Sequence, residues 1–153
     1  MLDVFFLALP QNENYTLKPD GFSYIIYSVY PQIATYYNPS LDSINLKADT
    51  ASKFFIVKCR PTYVRRLHEN NLGFNHGFTS REFLNHLESE EFKNIFPTPL
   101  DTILFHLHFK KGNTSLENLK YRYQCSAASI EADFKDLFGF SFAQYQKILL
   151  HTT

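Results

Sequence analysis

The chain has 153 residues with 15 Lys and Arg against 15 Asp and Glu, a formal net charge of zero at pH 7. That length suits one ordinary domain or two small ones, and the even balance supplies no overall steering toward nucleic acid. Aromatic residues make up 17%, all of them Phe or Tyr, which excludes a disordered chain and implies a packed core.

The opening stretch MLDVFFLALP is apolar but short, carries Asp3 and lacks a basic leader. It reads as a strand over 4–9 rather than a signal peptide, and no run in the chain reaches membrane-spanning length. Pro10 and the polar QNEN segment end it. Pro19-Asp20-Gly21 is a turn, because Pro presets φ and Gly accepts a positive one. It introduces FSYIIYSVY at 22–30, rich in β-branched and aromatic residues. This segment predicts a strand apolar on both faces, and so covered on both. Further strands are expected at 32–37, closed by Asn38-Pro39-Ser40, at 44–47 and at 53–59. The first sixty residues therefore read as a mainly antiparallel β region. Cys59 and Cys125 fall in different expected elements. They suit reduced core thiols and a cytoplasmic setting.

Pro61 fits the first position of a helix running to about His68, with Tyr63, Val64 and Leu67 on its apolar side. An Asn-rich loop at 70–77 is the candidate hinge. Thr79 and Glu82 then form a capping box, with Phe78 and Phe83 placed as its hydrophobic staple, and helix is expected from 80 to about 96 before Pro97. Thr98-Pro99-Leu100-Asp101 is another start: a cap, Pro at the first position and an acid in the first turn. Leu100, Ile103, Leu104 and Leu107 continue it toward Gly112.

His106 and His108 would share one face of a strand, but on this helix they stand about 200° apart and cannot converge on a metal. Cys and His spacings typical of zinc are absent elsewhere, so neither metal nor cofactor is expected. Arg60, Arg65, Arg66 and His68 form the densest basic patch, read as a solvated helix face ahead of an anion site. Tyr24, Tyr27, Tyr30, Tyr36 and Tyr37 read as core ahead of a ligand pocket. With no phosphate-binding loop, dinucleotide fingerprint, nucleophile elbow or carboxylate dyad, the chain does not read as an enzyme.

Residues 114–149 carry the sharpest signal. Thr114 and Glu117 make a capping box for a helix over 115–123, with Leu116, Leu119 and Tyr123 along one side. After a Gln124-Cys125 turn, Ser126 caps a second helix at 127–138, where Ile130, Phe134 and Leu137 recur on one face. Gly139 suits the left-handed position ending it, and Ser141 caps a third helix carrying Phe142, Tyr145, Ile148 and Leu149. Two helices joined by a tight turn are the usual device for laying the second in a DNA major groove.

On Ser115-Leu116, Leu119, Ser126, Ile130, Phe134-Lys135, Gly139, Ser141-Phe142 and Tyr145, the stretch resembles the first helix-turn-helix of the AraC/XylS family of bacterial transcription regulators. The resemblance implies an α+β fold, in which a partial, cupin-like antiparallel region precedes an all-helical helix-turn-helix unit. It places a sensing or dimerisation region at 1–70, a helical connector at 71–97 and the DNA-binding unit at 98–153. By the same resemblance Ala127, Ala128, Ser129, Ala132 and Lys135 face the groove beyond the Ser126 cap, while Lys120 and Arg122 touch phosphate. The implied partners are DNA, a second copy or a related regulator, and a small-molecule effector, with no membrane.

The pattern departs from the family in four places and in length. Family members usually carry Ala at Lys120, an apolar residue at Arg122 and Gly at Gln124, and Ala132 often corresponds to Arg. Residues 127–138 hold Glu131, Asp133, Lys135 and Asp136, a net charge opposite to the one that phosphate contacts favour. The chain stops at Ile148-Leu149-Leu150-His151, where the family's linker helix to a second unit would start. One unit contacts one groove segment, so specific binding calls for a dimer or another subunit. The other reading of these departures is an interaction module that pairs with a full-length regulator and no longer reads DNA. A shortened product of a longer gene is a third.

Overall fold

A computed structural model describes residues 3–29, 31–69, 79–88 and 98–152. The chain is α+β, with antiparallel strands followed by helices. The strands are β1 (Asp3–Leu9), β2 (Asn14–Leu17), β3 (Ser23–Ser28), β4 (Ile33–Tyr37), β5 (Ile44–Lys47) and β6 (Ser52–Cys59). Four form a sheet in the order β1-β6-β3-β4, and β2 pairs with β5 in a second sheet. Every pairing is antiparallel, with Tyr24 opposite Lys58 and Ile26 opposite Ile56.

Side chains alternate across a strand, so β3 buries two separate sets. Tyr24 and Ile26 pack with Leu9, Phe54, Ile56 and Leu46, the last of these from β5. Ile25 and Tyr27 pack on the other face with Val57, Cys59 and residues of two helices, α1 (Tyr63–Glu69) and α2 (Ser80–Leu87). The expected double covering of this strand is thus met by the β2–β5 pair on one side and by helices on the other. The tyrosines follow the same division: Tyr27 and Tyr36 on the helix side, Tyr24 and Tyr37 on the other. They are core to two layers rather than the wall of one pocket, and Tyr30 lies outside the described residues.

Strand β2 was not expected from the sequence. Its four residues alternate, with Tyr15 and Leu17 half-buried between exposed Asn14 and Thr16, a period too short to stand out beside the polar QNEN segment. Helix α1 begins at Tyr63, two residues later than expected, because Pro61 and Thr62 form a turn ahead of it. At α2 the Thr79 hydroxyl accepts the Glu82 N–H at 3.2 Å, and Phe83 stacks on Tyr27 with centroids 4.6 Å apart. The expected hinge at 70–77, Phe78 and the continuation over 89–97 lie outside the described residues.

Four helices complete the described chain: α3 (Pro99–Phe109), α4 (Leu116–Tyr123), α5 (Ala127–Phe138) and α6 (Phe142–Leu150). Leu104, Leu107, Leu119, Ile130, Phe134 and Tyr145 form their common core. Cys59 is buried in the sheet and Cys125 half-buried in the α4–α5 turn, both as free thiols. Among the described residues no helix is long and apolar enough to cross a membrane.

Two polar joints tie the β half to these helices. At the first, the buried Asp101 carboxylate of α3 accepts from the Thr62 hydroxyl, the Arg66 guanidinium and the Thr98 backbone N–H. Burial pushes this carboxyl upward, but the Thr62, Thr98 and Arg66 hydrogen bonds and the Arg66 charge outweigh it, and the net shift is downward. At the second, the buried Tyr145 hydroxyl lies 2.6 Å from the Gly21 carbonyl and 2.7 Å from His108 Nε2. A carbonyl only accepts, so Tyr145 donates to Gly21 and receives the Nε2 proton of a neutral His108. Burial holds His108 down to about 4, with Lys58 adding to the drop and Asp20 and the Gly21 carbonyl opposing it. Gly21 has φ of +80°, and a Cβ there would meet the His108 ring and Leu149 at 3.0 Å. The turn comes this close to α3 and α6 only as glycine.

Candidate nucleic-acid interface

The local chemistry of α4 and α5 explains their boundaries. The Ser115 hydroxyl, rather than that of Thr114, caps α4 by accepting the Asn118 N–H at 3.1 Å. Either hydroxyl fits the sequence pattern, and the expected Thr114–Glu117 box is displaced by one residue. The helix ends at Gln124, whose φ of 51° is left-handed. Such a conformation suits glycine and leaves the Gln124 backbone mildly strained. Ser126 then accepts the Ser129 N–H at 3.0 Å and α5 runs over Ala127–Phe138 as expected. Gly139, at φ 78°, closes it.

Ile130 and Phe134 point into the helical core, which turns the opposite face of α5 outward. Ala128, Ser129, Ala132 and Lys135 are exposed there, and Ala127 is half-buried at its edge. Ala128, Ala132 and Lys135, four and three residues apart, form one ridge. Its two alanines allow close approach to a groove floor and leave few side-chain groups to read base edges. The Ser126 hydroxyl is occupied in capping, so its part is to fix the first turn of α5.

The acids of α5 are divided: Asp136, exposed four residues after Ala132, lies at the end of the ridge, while Glu131 and Asp133 lie off it. The Glu131 carboxylate accepts the Phe142 N–H at 3.2 Å, capping α6 where the helix dipole favours negative charge. Asp133 and Asp136 line a groove shared with Arg65 and Arg66 of α1, and Arg65 reaches the Asp136 carbonyl at 3.5 Å. The adverse charge read from the sequence is therefore partly turned toward other helices.

On α4, Lys120 pairs with Glu117 at 3.5 Å, and Glu117 is largely exposed. Such pairs are worth about 0–1 kcal/mol, so a phosphate can displace the carboxylate. Arg122 is exposed. Tyr121 lies between them in sequence and is 91% exposed, a candidate contact that charge counting alone misses. Its signal was present in Leu119 and Tyr123, which take the buried side and force Tyr121 outward.

The basic cluster of α1 disperses. Arg66 joins Asp101, Arg65 pairs with Glu69 at 3.1 Å, the Arg60 guanidinium lies 5.7 Å from the Tyr63 ring centroid, and His68 meets the edge of Tyr36. His106 packs against Tyr123 and His108 against Phe22 and Tyr145, on separate sides of α3. No protein-family model matches the chain, and neither a curated protein nor a solved structure does.

Proposed function

We propose that this chain is an AraC/XylS-like bacterial transcriptional regulator that binds DNA through the α4–α5 helix-turn-helix, as a cytoplasmic dimer responsive to a small molecule. One observation carries the reading: α5 is capped at both ends and presents an exposed Ala128–Ala132–Lys135 ridge, and the helix before it carries Lys120 and the exposed Tyr121 and Arg122. The ridge is small enough to enter a groove, and Lys120 and Arg122 of the preceding helix are the cations proposed to meet phosphate.

Fluorescence anisotropy against mixed genomic duplexes at two salt concentrations, with light scattering for assembly state, tests it. A dimer whose binding weakens steeply with salt supports the reading. Replacing Lys120 and Arg122 by Ala lowers affinity for all sequences and flattens the salt slope by about 0.9 for each phosphate contact removed. Absence of binding at low salt by a folded protein overturns it.

A second reading, an interaction module that pairs with a full-length regulator, is favoured by one feature. Phe105 and Phe109 stack on the outer side of α3 and are 73% and 72% exposed, an apolar pair with only the Lys110 ammonium, 5.9 Å from the Phe109 centroid, recorded over it among the described residues. Loss of a full-length regulator's promoter binding when this chain is added distinguishes that reading.

A further inference from the structure

A cleft of about 1260 Å³ opens between the β half and the end of the helical half. One wall is the 16–24 segment with Lys58, and the other holds His108, Lys111 and α6. Its lining is charged unevenly. Asp20 is the one carboxylate among the described lining residues, and it is satisfied by Lys58 at 3.3 Å and by the Tyr24 hydroxyl. Lys18, Lys111 and Lys147 remain, one from each of three separate segments, and none has an ion-pair partner among the described residues. Three exposed lysines around one cleft give it a positive rim that attracts an anion. Within the same cleft the Phe22 ring lies on His108 with centroids 4.2 Å apart and carries the Lys58 ammonium 4.2 Å from its centroid, beside Ile148 and Leu149, an aromatic and apolar floor with a cation on it.

From this juxtaposition we infer that the cleft binds a small molecule carrying two or more negative charges and one flat aromatic group, a class that includes nucleoside phosphates. The lysines take the anionic end and the floor of Phe22, His108 and Leu149 takes the ring, with the Lys58 ammonium beside it. A molecule with one charge would engage only part of the rim, and one without a ring would leave the floor wet. Because the walls belong to the two halves, an occupant bridges them across the Gly21–Tyr145 contact. The site names a ligand class for the regulator proposed above, and it rests on that reading only for its regulatory meaning.

Titration of the full chain with methylanthraniloyl-ADP and with a pyrene trisulfonate dye, followed by fluorescence, tests the site. Saturable binding of at least one probe is expected, weakening with salt. The Lys18→Gln/Lys147→Gln variant binds about tenfold less tightly, as does Lys111→Asn, which keeps a residue tolerant of the left-handed backbone at that position. Lys47→Gln/Lys53→Gln, exposed lysines outside the cleft, leaves affinity unchanged. ADP displaces the nucleotide probe and adenosine does not. The inference is overturned if neither probe saturates, if both lysine pairs weaken binding equally in folded variants, or if adenosine competes as well as ADP. Probe binding without duplex binding would keep the site and reject the regulator; duplex binding without probe binding would do the reverse.

Discussion

The two joints between the halves solve one problem with different chemistry. At Asp101 a charge is buried and held by partners from three sources: the Thr62 hydroxyl, the Arg66 guanidinium and the backbone of Thr98. At Tyr145 every partner is neutral, and the hydroxyl is one link in a chain from His108 to the Gly21 carbonyl. A buried ion is costly to leave alone, so the first joint fails abruptly when one partner goes. A neutral chain loses a hydrogen bond at a time, and its weak point is the imidazole that must stay uncharged. The charged joint fixes α1 against α3, and the neutral one fixes the β turn against α6.

The sharpest way to break this comparison is Asp101→Ala, which takes the carboxylate from an Arg66 side chain that is 12% exposed and leaves it the Thr98 hydroxyl at 2.7 Å. Urea denaturation should show a loss of about 3–5 kcal/mol; a loss as small as a surface pair gives would mean that the carboxylate is not what holds the guanidinium in place. Tyr145→Phe keeps the ring and removes the hydroxyl from Gly21 and His108. About 1–3 kcal/mol is expected, measured the same way, with Asp101→Ala remaining the more damaging.

Acid should separate the joints further. His108 sits below its ordinary 6.5, at about 4, so its contribution to stability is full above 6.5 and falls as the pH drops toward 4. The Asp101 carboxyl also lies below its ordinary 3.8, so its contribution persists through that window and fades only at lower pH. Melting temperature recorded from pH 7 to pH 4 should decline in the native chain and decline less in His108→Gln; identical curves would remove His108 from the account. The smallest effect is expected away from both joints: Lys120→Ala should change stability by about 0–1 kcal/mol by urea denaturation while weakening any duplex binding. A larger loss would make Lys120 a structural residue.

Legibility in the sequence followed the range of the forces. Helix α5 was readable to the residue because Ser126, Gly139 and the Ile130–Phe134 spacing act within a turn or two. The α4 cap slipped from Thr114 to Ser115 because adjacent hydroxyls offer the same chemistry. Strand β2 was missed because a short alternation needs its partner β5 to be recognised. The Arg66–Asp101 pair spans 35 positions and the Tyr145–Gly21 bond 124, so each partner was read for a local role, as helix surface, first-turn acid, core ring or turn glycine. The same limit hid the lysine-lined cleft, whose walls come from segments distant in sequence. For the interface, the α5 face was readable from periodicity, whereas the turning of Glu131 toward α6 required the third helix in place.

The two thiols differ in a way that experiments can use directly. Cys59 is sealed in the sheet, and burial pushes its thiol up to about 12, so thiolate chemistry at neutral pH passes it by. Cys125 is only half-buried, in the turn between α4 and α5. A maleimide dye added to the unmutated chain should therefore label the helix-turn-helix elbow alone, giving a native optical reporter for whatever docks there.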